Sequence, residues 1–299
     1  MISILLPTYK SQYLEAAIKS VICQTYKDWE LIIVNDNSPH PIDKIVKKFS
    51  DDSRIRYYVN ETNLGKKDIV SNWNKCLKYA KGELCCLICD DDIYKPTFLE
   101  EMIKLSFQYS QCNVFRSGVE VINKNNEVYD FYPSSPEWEN CEDYIWHVLK
   151  GYRCQTITEW VYRTEHIKNL GGFISLPLAW YSDFLSIFVF SQNGGIASTP
   201  KRLVQFRMSG ENITSQKGQN TILKMKASII FESHLKDIIY NKSQYKEILN
   251  TLLTKYMRQK RSYTLSKCSF KDWLYLIKRK NYYNIDNKMI IKSIITKLI

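Results

Sequence analysis

Apolar residues fall along this chain in two alternating rhythms. Ile2 to Leu6, Leu31 to Val34 and Leu84 to Cys89 are short apolar runs, and Ile55 to Val59 reads with them. Runs of this length, closed by turn residues such as Asn35 to Pro39, predict buried strands. Between them the spacing becomes helical. Tyr13, Leu14, Ala17, Ile18, Val21 and Ile22 share one helix face, as do Ile69, Trp73, Cys76, Leu77 and Ala80 before Gly82. Further helices are predicted over about 42–49 and 98–107. Strand and helix in strict alternation predict an α/β fold, a mostly parallel sheet flanked by helices on both faces. After Asn113 the rhythm shortens: Val114-Phe115, Val119 to Ile122 and Val128 to Tyr132 read as strands. Helices are predicted near 140–150, 164–170, 181–193 and 219–240. No internal repeat or low-complexity linker interrupts the chain. The expectation is one α/β domain over 1–215 and a helical, basic C-terminal region over 216–299.

Composition narrows the class. The chain has 299 residues, 44% apolar and 24% charged, as in an ordinary globular protein. No uncharged apolar stretch reaches the ~18 residues that span a bilayer. The opening residues read as a strand rather than as an export signal. Nine cysteines, scattered without a framework, fit a reducing cytoplasm. Cys85, Cys86 and Cys89 superficially resemble a metal cluster, but side chains of a strand alternate faces, so core packing is expected of them.

Charge is uneven. Of the net +11, residues 255–299 carry +10, from twelve Lys or Arg against Asp272 and Asp286. Those bases interleave with Trp273, Leu274, Tyr275, Ile277, Tyr282, Tyr283 and the run Met289-Ile290-Ile291. Such a segment suits peripheral contact with an anionic membrane surface, at roughly 1 kcal/mol per base. A nucleic-acid surface and a plain solvated helix face are the alternatives; no nucleic-acid partner is expected.

The chemistry concentrates after the strands. Asp90, Asp91 and Asp92 directly follow the apolar run 84–89. Crowded carboxylates repel, and a hard divalent cation, Mg²⁺ or Mn²⁺, relieves them and can also carry a diphosphate. A solvated turn capping the next helix is the plainer reading. Ligands of open α/β sheets bind beyond the carboxyl ends of the strands. Three polar groups share that edge: Pro7-Thr8-Tyr9, Asn35-Asp36-Asn37-Ser38 and Asp90 to Asp92. Tyr9 could stack on a base, and Asp36 could accept from a pyrimidine imide. Neither glycine-rich phosphate motif, G-x-x-x-x-G-K-[ST] or G-x-G-x-x-G, occurs. A metal and side chains must then hold the phosphates.

The ordered motifs resemble those of family 2 glycosyltransferases. They are Ile4-Leu5-Leu6-Pro7-Thr8-Tyr9 with Tyr13-Leu14-Glu15-Ala16-Ala17, Leu31-Ile32-Ile33-Val34-Asn35-Asp36-Asn37-Ser38, Asn63-Leu64-Gly65, Ala80-Lys81-Gly82-Glu83, and Asp90-Asp91-Asp92-Ile93-Tyr94. The likeness is dense over 2–105 and thinner beyond, resting on Tyr181-Ser182-Asp183 and on Phe206-Arg207 with Gly210-Glu211-Asn212. The resemblance implies a GT-A fold, a nucleotide-sugar donor (most often a UDP-sugar) and inversion at the anomeric carbon. By position it implies that Pro7, Thr8, Tyr9 and Asp36 hold the nucleoside, with Asp90 near the ribose or donor sugar. Asp90 and Asp91 match the family's Asp-x-Asp region, with Asp91 the metal ligand. Cys89 before them leaves open which pair of Asp90 to Asp92 holds the ion, Asp92 being the second candidate, and Asp183 would be the general base. An N-cap is the alternative role for Asp183, and acceptor platform or core packing the alternatives for Trp180 and Tyr181.

Three positions depart from the family pattern: Cys89, Ser182 before the base, and Trp73 where many relatives carry Arg. Lys66 or Lys67, and Arg207, are therefore the candidate diphosphate contacts, and Ser209 to Ser215 a candidate lid. The expected function is metal-dependent sugar transfer to a glycan or lipid-linked glycan, at the inner face of the cell membrane. A nucleotidyltransferase and a non-catalytic sugar- or membrane-binding protein are the alternatives; the former would usually carry a glycine-rich basic loop near the first strand, absent from 7–12.

Overall fold

A computed structural model of the protein describes residues 1–210 and 218–298. Its strands are β1 (Ile2–Thr8), β2 (Trp29–Asn35), β3 (Ile55–Val59), β4 (Leu84–Leu87), β5 (Ile93–Tyr94), β6 (Val114–Ile122), β7 (Val128–Phe131), β8 (Trp138–Glu139), β9 (Trp160–Arg163) and β10 (Ile196–Arg207). The helices are α1 (Leu14–Ile22), α2 (Ile42–Val46), α3 (Ile69–Tyr79), α4 (Phe98–Gln108), α5 (Cys141–Lys150), α6 (Thr164–Asn169), α7 (Ser182–Phe190), α8 (Thr221–Lys242), α9 (Lys246–Lys267), α10 (Phe270–Ile277) and α11 (Asn287–Leu298).

One sheet runs in the order β3-β2-β1-β4-β9-β6-β10-β5. Its first four strands are parallel, as the alternating pattern predicts. Alternation along β1 explains why both faces are covered. Leu5 packs in one core with Val70, Trp73 and Leu77 of α3, while Ile4 and Leu6 pack in the other with Leu14, Ile18 and Val21 of α1. Cys85 and Cys86 divide between the same two cores, as core residues of a strand should.

The second half is mixed, which the sequence pattern did not reveal. β9 pairs antiparallel with β4 and β6, and β10 runs parallel to β6. Val114 to Ile122 is one nine-residue strand rather than two short ones. The twelve-residue β10 has Pro200, Lys201 and Arg202 in its middle, which hides its strand pattern; its register against β6 shifts there.

Local signals set several helix ends. Asp68 caps α3 by accepting from the Val70 amide at 3.0 Å, and Asn140 caps α5 by accepting from Asp143 at 2.8 Å. Gly151, at φ 79°, closes α5 in the left-handed conformation.

The C-terminal helices join the core. Phe231 and Leu235 of α8 and Leu253 and Met257 of α9 pack with Tyr144 and Val148 of α5 and Phe188 of α7. α10 and α11 close a smaller cluster of their own around Leu265, Leu276, Tyr283 and Met289. Among the described residues, no helix is long and apolar enough to cross a membrane.

Candidate active site

The carboxyl ends of β1, β2 and β4 lie side by side in the parallel part of the sheet, so the loops that follow them form one edge. Asp90 ties two of these loops together. Its Oδ2 accepts from the Tyr9 amide at 2.8 Å, the Lys10 amide at 2.7 Å and the Thr8 hydroxyl at 3.3 Å. Burial raises the Asp90 pKa against the opposing effect of those amides. Tyr9 itself stays 40% exposed, so its ring is available to a flat ligand. Pro7 is half-buried beside it in β1.

Asp36 is committed to the next loop. Its Oδ1 accepts from Asn60 Nδ2 at 2.7 Å and from the Leu64 amide at 2.8 Å, and its Oδ2 from the Gly65 amide at 2.7 Å. The carboxylate is buried. In this geometry it shapes the Asn63-Leu64-Gly65 turn, whose glycine lets the backbone come this close. Lys66 and Lys67 follow on the exposed side of that turn.

The remaining acids differ sharply in accessibility. Asp92 is fully buried; its Oδ1 accepts from the Arg207 amide at 2.9 Å and its Oδ2 from the Thr158 hydroxyl. It fastens the acidic loop to β10 and to the 152–159 segment. Arg207 is also fully buried. It donates through Nε to the Asp91 carbonyl at 2.8 Å and through a terminal nitrogen to the Asn123 carbonyl at 2.9 Å, with its guanidinium 4.1 Å from the Tyr13 ring centre. Arg207 thus stands behind the acidic loop and braces it.

Asp91 keeps a little exposure, with Lys10 Nζ 4.0 Å from its Oδ2. Burial first, and then the charge of Asp90, raise its pKa, while Lys10 and Arg207 oppose. Asp92 is raised by burial and by the charge of Asp91. Cys89, Asp91 and Asp92 bring their donor atoms within 4.8 Å of one another. A hard cation fits the oxygen side of this set: Asp91 is under-compensated, and such ions take one or two carboxylates and complete their shell with phosphate and water. The Cys89 thiol, held protonated by burial and the neighbouring acids, is a poor donor for such an ion.

Asp183 stands apart from that cluster, in the first turn of α7. Burial pushes its carboxyl up to about 6, against the Phe184 amide and Gln155. Gln155 Nε2 donates to its Oδ2 at 3.3 Å and is itself gripped by the Tyr144 hydroxyl. No side chain caps α7, so the N-cap role does not describe Asp183. The turn leading into it is strained: Leu178, Ala179 and Tyr181 have φ of 62°, 54° and 69°. Bulky residues rarely adopt this region, at a cost on the order of 1–3 kcal/mol each, and such strain clusters at functional sites. The Tyr181 ring is stacked on Phe231 at 4.6 Å, and the Trp180 ring lies under Lys224 Nζ at 4.6 Å, so both are engaged in packing.

Sequence reasoning missed Gln155, Thr158 and the buried Arg116–Glu159 pair, 2.7 Å apart, which braces the same irregular segment. No periodicity marks residues 152–159; a polar cluster directly before the apolar Trp160-Val161-Tyr162 is their one sequence signal. Of the candidate lid, only Ser209 and Gly210 lie within the described residues.

Comparison with known proteins agrees with this geometry. The sequence profile of Glycosyl transferase family 2 matches residues 3–156, just over half of the chain. The Escherichia coli protein WfgD, named as a UDP-Glc:alpha-D-GlcNAc-diphosphoundecaprenol beta-1,3-glucosyltransferase, is 33% identical over 132 residues, 44% of this chain and 50% of WfgD. A Campylobacter jejuni protein named as a GalNAc(5)-diNAcBac-PP-undecaprenol beta-1,3-glucosyltransferase is 38% identical over 93 residues, 30% of this chain and 29% of its own. The chain thus spans half or less of the length of these two relatives. The crystal structure of Staphylococcus aureus TarS 1–349 in complex with UDP-GlcNAc superposes with a TM-score of 0.71, at 18% identity, covering 92% of this chain and 78% of that 1–349 chain. That likeness establishes the GT-A fold. With the family profile running from β1 through the acidic loop to Thr156, the chain belongs to glycosyltransferase family 2.

Proposed function

We propose that this protein is an inverting, divalent-metal-dependent glycosyltransferase that moves a sugar from a UDP-sugar to a hydroxyl of a glycan, in particular a lipid-linked one. The observation that carries this reading is the division of the acids. Asp90 to Asp92 form a tied, electron-rich cluster at the sheet edge, and Asp183 is a separate carboxylate raised to about 6. A leaving diphosphate and an attacking hydroxyl need those two environments.

Thr8, Tyr9 and the Asp36-shaped turn would bind the nucleoside, with Pro7 setting the β1 end and Lys67 reaching for the diphosphate. Asp91 would hold Mn²⁺ or Mg²⁺, supported by Asp92, and the ion would neutralise charge that builds on the departing diphosphate. Asp90 fixes the Tyr9-Lys10 backbone against the donor, and Arg207 keeps Asp91 in place from behind. Asp183 takes the proton from the acceptor hydroxyl. The hydroxyl oxygen bonds to the anomeric carbon from the face opposite the diphosphate, the carbon–oxygen bond to phosphate breaks, and UDP leaves.

The names of WfgD and the Campylobacter relative support a diphospho-lipid glycan as acceptor, and the UDP-GlcNAc complex of TarS supports a uridine donor. The basic C-terminal region would keep the enzyme at the cytoplasmic face of the membrane that holds such an acceptor.

A thermal-shift panel of nucleoside diphosphates and nucleotide sugars, with Mn²⁺ or EDTA, tests the reading. A ligand of the native state raises Tm by mass action. Stabilisation by UDP and UDP-sugars that EDTA removes is the expected result. No shift with any nucleotide would favour a non-catalytic protein, and a shift with nucleoside triphosphates alone would favour a nucleotidyltransferase.

A further inference from the structure

The strained turn before Asp183 needs an external support, because nothing in its own sequence favours positive φ at Leu178, Ala179 or Tyr181. Glycine, or asparagine, would adopt that conformation cheaply, yet neither is present. The support comes from α8. The Tyr181 ring stacks on Phe231 with centroids 4.6 Å apart and planes 21° from parallel, and its phenol engages Ser228. Lys224, one turn before Ser228, sits over the neighbouring Trp180. Phe231 also abuts Phe188 in α7, at 6.2 Å, so one ring bridges both sides of the kink. α8 is in turn fastened to α9 by the buried Glu232–Arg261 ion pair, directly beside Phe231.

We infer that α8, braced by α9, is a clamp that sets the position of Asp183, with Phe231 as the positioning residue. The inference rests on Asp183 being the base. Its physical ground is that an uncommon backbone conformation relaxes when its support is removed, and Asp183 lies two residues from Tyr181. Apart from the Phe184 amide of its own helix, Gln155 holds the carboxylate through one 3.3 Å bond. The proposed nucleotide site is built from the ends of β1, β2 and β4, whereas Tyr181 stands at the start of α7 and Phe231 on α8. Loss of the clamp should therefore slow the chemical step and leave donor binding intact.

The test is steady-state release of UDP from UDP-glucose and UDP-N-acetylglucosamine, with water as acceptor, by Phe231→Ala, Phe231→Tyr and Asp183→Asn in the full chain. Phe231→Ala should lower kcat by roughly tenfold to a hundredfold, as for a catalytic group misplaced by about an ångström. Donor KM and UDP affinity should stay within about twofold. Phe231→Tyr keeps the ring and should restore kcat to near the wild-type value. Should Phe231→Ala fail to fold, Phe231→Leu keeps an apolar side chain but removes the stacked ring, and a kcat loss in the same direction is expected of it. An unchanged kcat, or an equal loss of donor affinity, overturns the clamp. Asp183→Asn separates the two ideas. If it is inactive while Phe231→Ala is as fast as wild type, the clamp alone fails; if it stays active, base and clamp fall together.

Discussion

At the scale of single residues, environment rather than identity divides the aspartates. Asp36, Asp90 and Asp92 spend their oxygens on neighbouring backbone or hydroxyl groups and act as fasteners. Asp91 and Asp183 keep capacity for other work. Asp183, raised to about 6 by burial, must be ionised to accept a proton, so kcat should fall as pH drops through about 6. The sign follows from the direction of the shift: a raised carboxyl holds its proton longer as pH rises. Asp183→Asn should lower turnover by roughly 10²-fold or more and leave UDP binding nearly intact. A pH–rate profile with an isothermal titration of UDP checks both; activity that survives the substitution, or lost UDP affinity, would remove Asp183 as the base.

At the scale of elements, the decisive structures are the short loops at strand ends. The turn at Leu64-Gly65 is drawn onto Asp36 by two amide bonds, and a Cβ at Gly65 would lie 2.8 Å from Asp36 Oδ2. Asp36 cannot retreat, because Asn60 and Leu64 hold its other oxygen. Gly65→Ala should cost about 1–3 kcal/mol of stability and displace Lys66 and Lys67. Thermal melts with and without UDP measure this; an unchanged Tm and UDP affinity would show that the turn is not a fixed part of the pocket. The acid and the glycine of this turn stood out in the sequence because each sits in a contiguous motif, Asn35 to Ser38 and Asn63-Leu64-Gly65; their tie across 29 residues did not. Gln155 and Thr158 did not stand out either, since no motif or periodicity marks residues 152–159 and the fold alone brings them to Asp183 and Asp92.

At the scale of the whole molecule, the C-terminal region divides into two parts. α8 and α9 are built into the catalytic core. Arg261→Met leaves the buried Glu232 with Lys236 alone, 2.9 Å away, so it should cost about 1–3 kcal/mol. Joint replacement, Glu232→Leu with Arg261→Met, should recover most of that. Thermal or urea unfolding decides, and equal destabilisation by the single and double variants would contradict the argument.

α10 and α11 bury one apolar set around Leu276, Tyr283 and Met289 and leave a second exposed, including Phe270, Ile291, Ile294 and Ile295 among basic residues. The protein should bind vesicles containing phosphatidylglycerol and ignore pure phosphatidylcholine. Ile291→Ser with Ile295→Ser should weaken binding by tenfold or more. Cosedimentation with neither vesicle would sink the membrane role of this face.

The sequence by itself determined the parallel half of the sheet, the helices that cover it, the acidic loop and the identity of Asp183 as a candidate. The sheet, its helices and the acidic loop are written in periodicity and contiguous motifs, which need only local physics to read, whereas Asp183 was reached through the family resemblance. Tertiary structure alone decided which acids are fasteners and which are available, how β9 and β10 complete the sheet, and that α8 reaches Tyr181. Each of these depends on contacts between residues far apart in the chain, where burial and the nearest partner set a side chain's role more than its type does.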